Sequence, residues 1–239
     1  MRGQHEERPA DSLASFPEQQ LEITSVKQLQ GWKNRQRYQI CFSDHCLEVH
    51  ENTMIKFRML KGSLFSKLEL QEIVQTDEKQ QAYAAGLGFL GRKPRTKYEM
   101  LARLKEKGWE ETVAEQTAER LEQEGYINDA QYAREWTQQR LESRGKGKMW
   151  IRQELRQKGI SKPHIEAALN QVNEDAELES ARMLAQKRWE RSAGEEEGAR
   201  KRKIAAFLLR RGYSGSIVSS VVRNLGELDE WMGQEEEFF

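Results

Sequence analysis

The sequence predicts a mainly α-helical protein. Tandem three-helix repeats form an elongated array, preceded by a small N-terminal α+β module containing a β-hairpin. Three observations carry this prediction. Glu, Lys, Arg, Gln, Leu and Ala dominate the 239 residues and only 4 are proline, a composition that favours helix. The hydrophobic fraction is 37% and the charged fraction 33%, polar for a compact globule yet too rich in large apolar residues for a disordered chain. An array whose units bury only the faces shared with neighbours satisfies both figures. Finally, one pattern of apolar residues recurs along the chain with a period of about 50.

Residues 1–20 are polar and read as a flexible lead. From 21 to 75 the pattern is that of a small module of strands and short helices. Leu21, Ile23 and Val26 alternate loosely; Tyr38, Ile40 and Phe42 alternate cleanly, as do Leu47 and Val49 beyond Ser43-Asp44. Period-two apolar runs around a short polar turn predict a hairpin. From Glu51 to Val74 the spacing lengthens into short helices around Lys61-Gly62-Ser63. Cys41, His45, Cys46 and His50 offer four soft ligands, but a two-residue turn puts the cysteines opposite each other and His45 on the other face. Structural zinc sites draw ligand pairs from separated segments, so no metal is expected here. In a reducing cytosol the cysteines are expected as two thiols.

The repeats are read at 76–127, 128–173 and 174–226. With Gly108, Gly159 and Gly212 in register, a basic residue precedes each glycine and Trp109, Ile160 or Tyr213 follows it. Leu104, Leu155 and Leu208 align upstream, then Met100, Ile151 and Ile204. Downstream, Val113, His164 and Ile217 share a position read as core, followed by Ala114, Ile165 and Val218. Thr96 and Glu99 form a capping box that opens a helix. Gly108 supplies its left-handed end. Glu110, Ser161 and Ser214 precede the third helix of each unit, at 112–124, 162–172 and 215–225. A first helix precedes each pair, near 77–91, 129–144 and 175–189. These apolar residues are core and carry fold rather than chemistry.

The formal net charge of zero hides segregation. The tail, 227–239, is acidic, and solubility is its expected role. Basic clusters lie at Arg92–Lys97, Arg144–Lys148 and Arg200–Lys203, and such segregation steers acidic partners. The longest strongly apolar run, Ile204–Leu209, is far short of the roughly 20 residues a bilayer needs, so no membrane partner is expected. No apolar leader is visible at the start, which makes a cytoplasmic location the expectation. No phosphate-cradling glycine loop or catalytic constellation appears, so neither enzyme activity nor a cofactor is expected.

Gly125-Tyr126-Ile127-Asn128-Asp129, followed by Tyr132-Ala133, resembles the signature of the RecX family, although Asn128 stands where an acid is usual. Asn also caps helices, so the structural role survives the change. Arg92–Leu104 resembles the family's opening basic, capped helix, and Leu155–Ile160 its second unit. The resemblance covers about 77–225. It implies a curved rod of three-helix units that lies in the groove of the RecA–DNA filament. There it would limit filament extension, ATP hydrolysis and strand exchange, acting as a monomer in recombination and repair.

Function must then reside in surfaces. The basic turns before each second helix are the candidate partner-binding residues: Arg92, Arg95 and Lys97; Arg144, Lys146, Lys148 and Arg152; and Arg200, Lys201 and Lys203. They would meet the RecA filament, or single- or double-stranded DNA phosphates, whose binding weakens steeply with salt. The alternatives are a direct DNA-binding repeat protein and a helical adaptor for another protein.

Overall fold

The structure, a computed structural model, describes residues 13–31 and 36–225, without the side chains of 143 and 144. The first part of the lead and the acidic tail lie outside the described residues. Two compact units are formed, one by residues up to 93 with 100–126, the other by 94–99 with 127 onward.

In the first unit, strands β2 (Ser25–Gln28), β3 (Arg37–Phe42) and β4 (His45–His50) form an antiparallel sheet in the order β2-β3-β4. The β3–β4 hairpin turns at Ser43-Asp44, with Cys41 directly opposite Cys46. A separate pair joins β1 (Leu21–Glu22) to β5 (Leu64–Phe65). Between them lies the short helix α1 (Glu51–Lys56). Alternation sends Ile40, Phe42, Leu47 and Val49 into one core with Ile23, Met59 and Phe65. Leu13 and Phe16, within the stretch read as lead, are also buried there, and the Phe16 ring meets Phe42 edge-on at 6.0 Å. Two apolar residues in a polar stretch have no period to betray them.

Cys41 and Cys46 form a disulfide, which corrects the expectation of two thiols. The register decides it: the paired positions set the two Cα atoms 4.0 Å apart, so both sulfurs share one small space.

Helix α2 (Lys67–Leu90) is one continuous helix, where short helices were expected before Asp77. Ser66 and Glu69 open it with a reciprocal capping box. Its first half packs Leu70, Ile73 and Val74 under the sheet. Its second half meets α3 (Lys97–Glu106) and α4 (Glu111–Gln123). Gly86 permits the approach: a Cβ there would lie 2.8 Å from a Leu121 methyl. Asp77 fastens helix to sheet. Its buried carboxylate accepts from the backbone N–H of His50 at 2.5 Å, from Arg37 at 3.3 Å and from Gln81 at 2.7 Å.

The second unit contains the two complete later repeats. The second repeat comprises α5 (Asp129–Arg144), α6 (Lys148–Gln157) and α7 (Lys162–Asn170), and the third α8 (Glu174–Glu190), α9 (Glu197–Arg210) and α10 (Gly215–Arg223). Each has its own core: Ala133, Ile151, Leu155, Ile165 and Leu169 in one, Ala181, Ala185, Ile204, Leu208 and Val218 in the other. Gly108, Gly159 and Gly212 end the second helices at φ of 93°, 74° and 84°, a conformation that favours glycine. His164 is exposed, not core; burial falls on its neighbour Ile165. The aligned Ala114, Ile165 and Val218 are buried in all three repeats, whereas the position before them lies at the edge of the face, buried at Val113, half-buried at Ile217 and exposed at His164.

Asp77→Ala leaves the buried His50 N–H without its acceptor and leaves the part-buried Arg37 guanidinium with Glu48 alone. It is expected to destabilise the protein by about 2–4 kcal/mol in urea unfolding.

Candidate partner interface

The openings of α3 and α6, beside the first two basic clusters, stand where one repeat meets the next; the third cluster is not a turn, because Arg200, Lys201 and Lys203 lie inside α9. At the first such junction the opening of α3 is held by the second repeat. Thr96 is fully buried, and its hydroxyl donates to the Lys158 carbonyl at 2.7 Å. It also accepts from the Glu99 N–H at 3.1 Å while the Glu99 carboxylate accepts from the Thr96 N–H, so the expected capping box is present. The Lys97 N–H donates to the Asp129 carboxylate at 2.9 Å. Gly159 lies flush against Tyr98; a Cβ on the glycine would sit 2.3 Å from the Tyr98 Cβ.

The same arrangement recurs where α6 begins. The Gly147 N–H donates to the Arg211 carbonyl and the Met149 N–H to the Gly212 carbonyl, both at 3.0 Å. The Lys148 N–H donates to the buried Glu177 carboxylate at 2.8 Å. A Cβ on Gly212 would lie 2.3 Å from the Trp150 backbone nitrogen. In both cases an acid from the next repeat's first helix satisfies a free N–H at a helix start and complements its dipole. At α9 the adjacent Glu196 does this work, accepting from the Gly198 and Ala199 N–H groups at 2.8 and 2.7 Å. Those bonds hold the Glu196 carboxyl below its usual range.

The signature segment serves the junction. Asn128 caps α5 through the Gln131 N–H, and Asp129 caps α3. Tyr132 stacks on Trp136 at 5.6 Å. The Lys158 ammonium sits 4.4 Å from the Trp136 ring centre and pairs with Glu99 at 2.6 Å. Burial opposes its charge, but bonds to Glu99 and Tyr132 outweigh that and raise its pKa. Arg140 covers Trp136 at 3.9 Å and, with the indole N–H, bonds Glu154. Burial pushes the Glu154 carboxyl up, yet hydrogen bonds from Trp150, Arg140 and Trp136 bring it below its usual range.

The ten candidate residues have different fates. Arg92 is exposed in the first unit, and Arg95 is half-buried in the second, with no partner for its Nε among the described residues. Lys97 is half-buried at the start of α3. Arg144 ends α5, and its side chain lies outside the described atoms. The Lys146 ammonium sits 3.4 Å from the Trp150 ring centre. Lys148 is spent on the fold, donating to the Val172 carbonyl at 3.2 Å near Glu177. Arg152 grips Glu166 through two bonds of 3.1 and 3.0 Å, which raises its own pKa and lowers that of Glu166. Arg200 lies on Trp189 at 3.4 Å and donates to its carbonyl at 2.9 Å. Lys201 and Lys203 pair at the surface with Glu197 and Glu195 at 2.6 and 2.7 Å. Sequence reasoning missed the structural use of Lys148, Arg152 and Arg200, and the capping roles of Asp129 and Glu177. Asp129 was quoted in the signature, but its target lies 32 residues away, beyond any local pattern.

These junctions define a tandem three-helix repeat protein. Three stretches match the domains described as RecX first, second and third three-helix domains, at residues 82–121, 128–169 and 175–222. The chain belongs to the RecX family of regulatory proteins. "Regulatory protein RecX" of Limosilactobacillus reuteri (strain DSM 20016) is 28% identical over 200 residues, 83% of this chain and 76% of that one. Its Listeria welshimeri counterpart is 26% identical over 211 residues, 87% of this chain and 78% of the relative. A crystal structure of regulatory protein RecX aligns with a TM-score of 0.73 at 28% identity, covering 84% of this chain and 98% of that one. RecX from Lactobacillus salivarius aligns at 0.60 and 26%, covering 63% and 97%.

Two measurements check the junctions. Gly159→Ala forces a backbone shift besides an unfavourable φ and is expected to destabilise by more than about 2 kcal/mol; Gly108→Ala, with open space around it, carries only the φ cost of about 1 kcal/mol. Because the folded pKa of Glu154 is depressed, its contribution is complete above the unfolded value of about 4.3 and is lost as pH falls through the lower folded one. Urea midpoints compared at pH 6 and pH 3 should therefore fall less in Glu154→Gln than in the wild type.

Proposed function

We propose that this chain regulates the RecA recombinase. It binds in the groove of the RecA–DNA filament and limits filament extension, ATP hydrolysis and strand exchange, acting in the cytoplasm without bond chemistry of its own. The observation that carries this reading is the ordered run of three RecX domain matches, one on each three-helix unit. A chain of like units suits a partner that repeats along a polymer.

The side-chain chemistry supports a binding role. The groups with shifted pKa serve packing: Tyr83, for example, is pushed up to about 12 by its hydrogen bond to Glu124, with burial adding to it. Among the described residues no helix is long and apolar enough to cross a membrane. Of the basic residues first considered, Arg92 and Arg95 suit phosphate or acidic contacts best, since Lys146 lies on Trp150 and Lys148, Arg152 and Arg200 are committed inside the fold.

Titration of the chain into RecA hydrolysing ATP on single-stranded DNA should lower the rate and saturate. An unchanged rate at a large excess of the chain would refute the reading. Replacing Arg92 and Arg95 by Gln should weaken filament binding by about tenfold and flatten its salt dependence.

A further inference from the structure

The second helices of the first two repeats display apolar side chains at equivalent places. Tyr98 stands ten residues before Gly108, and Met149 ten before Gly159. Tyr98 is 56% exposed and Met149 59%. Trp150 follows Met149, 39% exposed. A glycine of the next repeat stands close to each place: Gly159 against the Tyr98 Cβ and the near edge of its ring, and Gly212 against the backbone of Trp150, the residue after Met149. Leu209, 53% exposed, stands in the last turn before Gly212. Met149, Trp150 and Leu209 take no part in the cores of their own repeats. Repeat three breaks the series, because its equivalent position holds the charged Arg202.

The charge around these positions selects a partner. The carboxylates at the junctions are already bonded: Glu99 to Lys158, Glu177 to the Lys148 N–H, Glu154 to Arg140 and Trp136. Exposed cations remain, Arg156 and Arg210, in the last turns beside the two glycines. An apolar feature rimmed by cations complements an apolar pocket rimmed by acids. Nucleic acid fits less well. One face of the Trp150 ring is covered by the Lys146 ammonium, and Met149 offers no ring at all. Single-strand binders stack successive bases on closely spaced aromatics, whereas these positions recur once per repeat.

We infer that Tyr98 and Met149-Trp150 form a two-step docking ridge for a protein partner whose acid-rimmed apolar pockets recur from subunit to subunit. This rests on the reading that the partner is the RecA filament, and it names side chains different from the basic turns. Backbone bonds hold the chain beneath each step, Lys97 N–H to Asp129 beside Tyr98 and Met149 N–H to the Gly212 carbonyl, so little backbone freedom is lost on docking.

The full chain carrying Tyr98→Ser and Met149→Ser tests it. Serine keeps the Cβ that packs at Gly159. The melting temperature is expected to stay within a few degrees of the wild type. Affinity for RecA filaments on poly(dT) should fall about tenfold for each single change and further for both. Affinity for poly(dT) alone should not move. A folded double variant that binds filaments as the wild type does overturns the ridge. A parallel loss on bare poly(dT) overturns it in favour of a nucleic-acid surface. If the double variant melts early, Met149→Ser alone decides by the same criteria. A wild-type chain that binds no filament removes the functional reading and the ridge with it.

Discussion

The architecture of the second unit depends on one constraint: the start of a helix carries N–H groups that the helix itself cannot satisfy. Here the answer comes from the next repeat. Asp129 meets the opening of α3 and Glu177 that of α6, while the carbonyls of Lys158, Arg211 and Gly212 complete the contact. The approach is so close that Gly159 and Gly212 have no room for a methyl group. Capping and packing are thus one event. The repeats are joined by directional bonds as well as by apolar area, and directional bonds specify register in a way that area does not.

Much of this was legible in the sequence. The hairpin turn at Ser43-Asp44, the limits of α5 and the three left-handed glycines follow from local rules. The RecX resemblance rested on the same region and is borne out by the domain matches. Local rules failed where a contact is distant. Nothing near Leu13 or Phe16 announces that they enter the sheet core. The continuity of α2 was hidden because its two halves pack against different partners and so show no single apolar stripe. The third helix of repeat two begins after Ser161, whose side chain makes no capping bond despite its residue type.

The candidate site was legible only in outline. A basic cluster in sequence does not distinguish a solvated cation from one folded inward over an indole. Arg200 on Trp189 and Arg152 on Glu166 look the same in one dimension as Arg92, which is exposed. The distinguishing partners lie eleven to fourteen residues away, on other helices. The disulfide shows the opposite case: the cross-strand placement of Cys41 and Cys46 was read correctly, and only the assumed chemistry of the compartment argued for free thiols.

The direction of capping has a consequence for biosynthesis. A ribosome delivers the chain from its N-terminus, so α3 emerges before Asp129 and α6 before Glu177. Neither helix opening can be completed until its successor has left the exit tunnel, which ties the maturation of each repeat to translation of the one after it. The third repeat differs: its acceptor, Glu196, precedes α9 in the chain and is already outside the ribosome when that helix emerges.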